Sequence, residues 1–70
     1  MSLLKINGKE REFADSKMPA TMADLLRQLG VDSTTVVAEL EGQIIERKNF
    51  STTPLHAGQT VELVRFVPGG

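Results

Sequence analysis

Apolar and polar positions divide the chain into short strand-like runs and one helix. Leu3-Leu4-Lys5-Ile6 reads as a strand. Asn7-Gly8 follows, a pair suited to a two-residue hairpin because both positions accept positive φ. Lys9 to Phe13 is the returning strand. Ala14 to Ala20 is irregular, and Pro19 bars helix before it. Thr21 is placed as a helix N-cap, its hydroxyl able to accept a backbone N–H of the first turn. Asp24, three residues on, echoes a capping box and suits the positive helix end. Met22, Leu25, Leu26 and Leu29 fall at i, i+3, i+4 and i+7, a full helical stripe. Gly30 is placed to end it in a left-handed conformation. Val36 to Leu40 is β-branched and strand-like, Glu41-Gly42 resembles a turn, and Gln43 to Glu46 a short return. Lys48 to Gly58 is a polar connection containing Pro54. Thr60 to Val67 is the longest strand candidate, and Pro68-Gly69-Gly70 follows it.

The order β-β-α-β-β-β restricts the topology. First and last strands can lie side by side only if the helix crosses the sheet, because parallel neighbours need such a crossover. A lone helix needs an apolar sheet face beneath it. The predicted fold is therefore α+β: a mixed four- to five-stranded sheet packed on one main helix, the ubiquitin-like β-grasp. An unrelated small α+β sandwich is the alternative. Residues 1–67 form the expected domain and 68–70 a flexible Pro-Gly-Gly tail, mobile beyond Val67.

Strand parity then sorts side chains by face. Val61 and Leu63 share one side of the last strand; Glu62, Val64 and Phe66 share the other. A carboxylate is not buried without a partner, so Val61 and Leu63 face the helix. By the same reading Val36, Ala38 and Leu40 point inward and Val37 outward. An outward group of Val37, Val64 and Phe66 is unusual for a soluble monomer, and contiguous patches of this kind mark interaction sites; single exposed hydrophobics, by contrast, need no explanation. Arg65 lies with Leu63 by parity, but near the sheet end it can reach water or a partner carboxylate. Val37, Val64, Arg65, Phe66, Val67 and Pro68 are the expected partner-binding residues. Phe13, Phe50, Met18 and Met22 read as core.

Composition narrows the function. Seventy residues make one small domain, with an expected stability of about 3.5–10 kcal/mol. Eight Lys and Arg against nine Asp and Glu give a net charge of −1. That balance speaks against nucleic-acid binding by phosphate neutralisation and against a polybasic membrane anchor. No apolar run approaches the roughly 20 residues that span a bilayer, and the first residues lack a secretory pattern. There is no cysteine, so thiolate nucleophiles, disulfides and zinc–sulfur sites are excluded together. A small domain without staples is expected to be cytoplasmic. The single histidine, His56, has no partner base or nucleophile nearby in sequence and reads as a solvated loop residue.

The terminal pair Gly69-Gly70 carries the candidate chemistry. At about 7% glycine usage, two in a row at an end arise by chance roughly once in 200 chains, which makes an incidental floppy tail the weaker alternative. A terminal carboxylate is ionised at neutral pH and is a poor electrophile. Making it reactive requires an enzyme that joins it to a leaving group such as AMP, and a narrow nucleotide site admits glycine where side chains would block passage. The chain has no Walker-type or dinucleotide glycine loop, so the nucleotide belongs to the partner. Gly70 is the expected reacting residue, with Gly69 beside it.

Val37-Ala38-Glu39-Leu40-Glu41-Gly42-Gln43-Ile44-Ile45-Glu46-Arg47, then Leu55-His56-Ala57-Gly58-Gln59-Thr60-Val61-Glu62-Leu63-Val64-Arg65-Phe66-Val67 and the Gly69-Gly70 end, resemble the ThiS sulfur carrier family of thiamine biosynthesis over nearly the whole chain. The Gly-Gly end alone is shared with ubiquitin-like modifiers and the molybdopterin-synthase small subunit; the Val-Glu-Leu-Val-Arg-Phe-Val stretch favours the thiamine branch. The resemblance implies that a ThiF-like enzyme, using ATP and Mg²⁺, adenylates the Gly70 carboxylate. Sulfur drawn from cysteine through a desulfurase then displaces AMP, and the thiocarboxylate serves thiazole synthase. It further implies a protein co-substrate rather than an enzyme, with no cofactor or metal bound by this chain, monomeric when free. Family members commonly have glycine where Pro68 stands, and proline there stiffens the tail.

Overall fold

In the computed structural model, which describes residues 1–66, β1 (Ser2–Ile6) and β2 (Lys9–Phe13) form a hairpin. They are followed by α1 (Met22–Leu29), β3 (Val36–Leu40), β4 (Gln43–Ile45) and β5 (Thr60–Arg65). The strands make one sheet in the order β2-β1-β5-β3-β4. β1 and β5, the chain's first and last strands, are parallel neighbours through Lys5↔Thr60 and Ile6↔Val61. The other three pairings are antiparallel. This is the β-grasp arrangement expected from the element order.

Local chemistry sets the turns. Asn7 and Gly8 hold φ of 50° and 82°, the geometry of a type I′ hairpin. Glu41 and Gly42 repeat it at 51° and 82°. Glutamate is an uncommon residue in left-handed backbone, and it is held there from two sides. Its backbone N–H donates to the Thr60 carbonyl at 2.9 Å, and its Oε1 accepts from the Thr60 N–H at 2.6 Å.

Helix α1 begins and ends where its signals lie. The Thr21 hydroxyl accepts from the Asp24 N–H at 3.2 Å. Gly30 takes φ of 70°, and the Val31 N–H reaches back to the Leu26 carbonyl at 2.9 Å, which satisfies a helix-end acceptor. The buried core collects Leu4, Phe13, Met22, Leu25, Leu26, Val36, Ala38, Phe50, Leu55 and Val61, so α1 closes one face of the sheet.

Two strand ends and one connection differ from expectation. Strand β5 ends at Arg65 rather than Val67; Phe66 lies past the strand, although its N–H still donates to the Thr35 carbonyl at 2.9 Å. Glu46 leaves β4 and precedes a 3-10 helix at Arg47–Thr52, where the sequence suggested a plain connection. Burial of Phe50 explains that helix, since the turn drives this one aromatic under α1 while its polar neighbours stay out. The boundary expected between 67 and 68, and the tail itself, lie outside the described residues.

Candidate functional site

The sheet face away from α1 is assembled from parity and register. Val61 and Ala38 are fully buried beneath the helix, so their strand neighbours Glu62, Val64, Val37 and Glu39 must point the other way. Antiparallel pairing of β3 with β5 sets Val37 directly opposite Val64 and Glu39 opposite Glu62. Phe66 continues the outward series one step beyond β5. Val37, Val64 and Phe66 are 38%, 56% and 45% exposed, too open for core residues of their size. The three predicted from sequence are thus brought together on one face.

A fourth member was not anticipated. Ile44 on β4 is 69% exposed and pairs with Glu39, on the outward side. A two-residue turn at Glu41-Gly42 dictates that register, so Ile44 could have been placed outward from sequence once Glu39 was. Apart from Met1, these four are the exposed large hydrophobics among the described residues. Val37, Ile44 and Phe66 also line a shallow groove of about 310 Å³ at the sheet end, with Arg47 and Glu46 at its rim.

Strand β5 is held on both sides as far as Leu63. On one side β3 pairs from Val36↔Arg65 to Leu40↔Val61. On the other, β1 runs out at Ile6, and the Asn7 side chain takes over. Its Oδ1 accepts from the Leu63 N–H at 2.7 Å and its Nδ2 donates to the Leu63 carbonyl at 3.3 Å. This amide mimics one more residue of parallel strand, and it steadies the segment from which residues 67–70 continue. Arg65 faces the helix side by parity yet is exposed, as its place at the sheet end implied. Val67, Pro68, Gly69 and Gly70 lie outside the described residues.

The remaining polar groups are structural. Asp24 is held below the usual carboxylate range by its hydrogen bond with Arg27, whose Nη1 donates to Oδ1 at 2.8 Å. Asp32 is lowered by donation from the Thr34 N–H and hydroxyl, at 2.9 and 2.8 Å. His56 is an exposed turn residue whose backbone N–H donates to the Gln59 side chain at 2.7 Å. Among the described residues no three His, Asp or Glu side chains gather as a metal site, and none of the helices is long and apolar enough to cross a membrane.

Comparison with known proteins follows this geometry. A family model described as the ThiS family matches residues 4–70. A thiazole synthase from Paramagnetospirillum magneticum is 37% identical over 67 residues, 96% of this chain. The chain spans only 20% of that relative's length. The sulfur carrier protein ThiS of Bacillus subtilis is 29% identical over 68 residues, which is 97% of this chain and all of that one. The crystal structure of a thiamine biosynthesis protein, ThiS, from Geobacter metallireducens superposes with a TM-score of 0.82. It is 32% identical and covers 97% of this chain and 99% of its own. A solution structure of a Geobacter metallireducens thiamine biosynthesis protein gives 0.74 at 34% identity, over 100% of this chain and 88% of its own.

Proposed function

The chain belongs to the ThiS family, and from that premise we propose that it is a sulfur carrier of thiamine biosynthesis whose working group is the Gly70 carboxylate. The family match runs through Gly69-Gly70, and this observation carries the reading. Carriage on the backbone terminus also fits a chain without cysteine, which has no thiol to hold sulfur covalently.

The proposed chemistry proceeds stepwise. The carboxylate oxygen of Gly70 attacks the α-phosphorus of ATP on a ThiF-like enzyme, and pyrophosphate leaves. The terminal sulfur of a persulfide, formed from cysteine on a desulfurase, then displaces AMP from the acyl carbon to give an acyl disulfide, and a thiol reductant cleaves its S–S bond to release the thiocarboxylate. Delivery of that sulfur to thiazole synthase returns the carboxylate. ATP and Mg²⁺ act in the adenylating enzyme, so the carrier is a co-substrate rather than a catalyst, and the ATP requirement places the cycle in the cytoplasm. The role of thiazole synthase is supported by the relative of that name, which carries in one polypeptide a segment 37% identical to this chain.

The described surface suits the task. Val37, Ile44, Val64 and Phe66 offer a docking face near the end of β5, a strand held on both flanks, after which the sequence continues to Gly70. Arg65, Val67 and Pro68 would complete the contact along the exit. Because the proline ring restricts φ covalently, a proline at position 68 is expected to lower the ordering entropy lost on threading.

Intact mass tests the reading. Incubation of the chain ending at Gly70 with the adenylating enzyme, ATP and Mg²⁺, cysteine, a desulfurase and a thiol reductant should exchange one oxygen for sulfur at the terminus. Deletion of Gly70 should abolish the exchange and leave the fold unchanged by circular dichroism. Normal sulfur delivery by the truncated chain would overturn the mechanism, and an isopeptide bond to a lysine would identify a protein modifier instead.

A further inference from the structure

The apolar face has an acidic centre. Glu39 and Glu62 lie directly opposite one another in the β3–β5 ladder, and Ile44 flanks Glu39 on β4. The next pair along the face is Val37↔Val64. Like charges facing each other across a strand pair destabilise a sheet. Neither carboxylate forms an ion pair among the described residues. Lys5, the nearest cation by register, pairs with Thr60 and is a diagonal neighbour of Glu62 that makes no bridge to it. Two carboxylates thus stand side by side without a cationic partner among the described residues, beside four exposed hydrophobics.

On the reading that this face docks thiazole synthase, we propose that Glu39 and Glu62 jointly receive one basic side chain, an arginine or lysine, from that enzyme. Charge complementarity fixes the occupant's chemistry. An all-apolar partner surface would bury two like charges without compensation, which is strongly unfavourable. A single cation between them offsets the mutual repulsion and part of the desolvation cost, and apolar contact with Val37, Val64 and Ile44 shields the triad from water. The pair therefore selects among enzymes that could otherwise use the same hydrophobic patch, because a partner with an acidic or purely apolar surface is repelled.

The experiment measures binding and stability on the same variants, using purified thiazole synthase of the same organism as the probe. Glu39→Gln, Glu62→Gln and the double variant keep shape and remove charge. Each single variant should melt within a few degrees of the parent, because the pair is solvent-screened in the free chain. Each should bind the synthase roughly tenfold more weakly at low salt. Affinity of the parent should fall as salt rises, and the double variant should lose most of that dependence. Affinity within about twofold of the parent for the double variant, at low salt, would overturn the proposal and leave the docking reading standing. Failure of the parent itself to bind would overturn both. A Phe66→Asp variant separates the two ideas, since it should lose binding while keeping the stability of the parent's acidic pair.

Discussion

Single residues set conformations here through hydrogen bonds that their side chains alone can make. Asn7 both turns the first hairpin, at φ of 50°, and clamps the backbone of Leu63 from the far end of the chain. Asn7→Ala removes the clamp and an amide tolerant of left-handed backbone together. Thermal unfolding should show a loss of about 1–2 kcal/mol, and hydrogen exchange at Leu63 should quicken. Asp32 offers a titration test. Its folded pKa is depressed from an ordinary 3.8 by the Thr34 donors, so its contribution is present above the unfolded pKa and is lost as pH falls through the folded one. Melting temperature should therefore decline below about pH 4, and Asp32→Asn should flatten the part of that decline assigned to this group. Both follow from atoms within hydrogen-bonding reach, and the Asp32 contact, only two residues away, was of a kind legible in sequence. The Asn7 clamp was not, because its acceptor lies 56 positions away.

At the scale of elements, α1 shows how far short-range signals reach. Its cap, apolar stripe and terminating glycine all lie within ten residues, from Thr21 to Gly30, and every one operates as its chemistry suggests. Thr21→Ala should lower stability by about 1 kcal/mol, read as a fall of several degrees in melting temperature, with sulfur loading unaffected at a temperature where the variant is folded. Boundaries fared less well where two elements compete for one residue. Glu46 has the extended backbone expected of β4 but is spent as the cap of the 3-10 turn. That turn exists because Phe50 gains burial under α1, which outweighs the polar character of the residues around it. The aromatic was recognisable as core; the helical turn delivering it was not, since its only apolar driver is a single contact made in three dimensions.

The whole molecule divides its apolar residues between a core that stabilises and a face that docks. Leu25 is fully buried. Leu25→Ala should cost about 2–5 kcal/mol, a large share of what a domain of this size possesses, and the variant should be partly unfolded at physiological temperature. Phe66, 45% exposed at the end of β5, belongs to the other class. Phe66→Asp should shift the melting temperature by no more than a few degrees yet weaken docking to the adenylating enzyme more than tenfold by calorimetry. Unfolding with no separate binding defect would mean that Phe66 is a core residue after all. The amino-acid sequence by itself determined the strands, helix α1 with its caps, the two tight turns and the inward or outward sense of the β3 and β5 residues, because those depend on steric preference and alternation over a few positions. Only the tertiary structure decided that Glu39 faces Glu62, that Ile44 joins Val37 and Val64, and that Asn7 grips β5. Such juxtapositions depend on register between distant strands, and packing of the shared core against α1 sets that register.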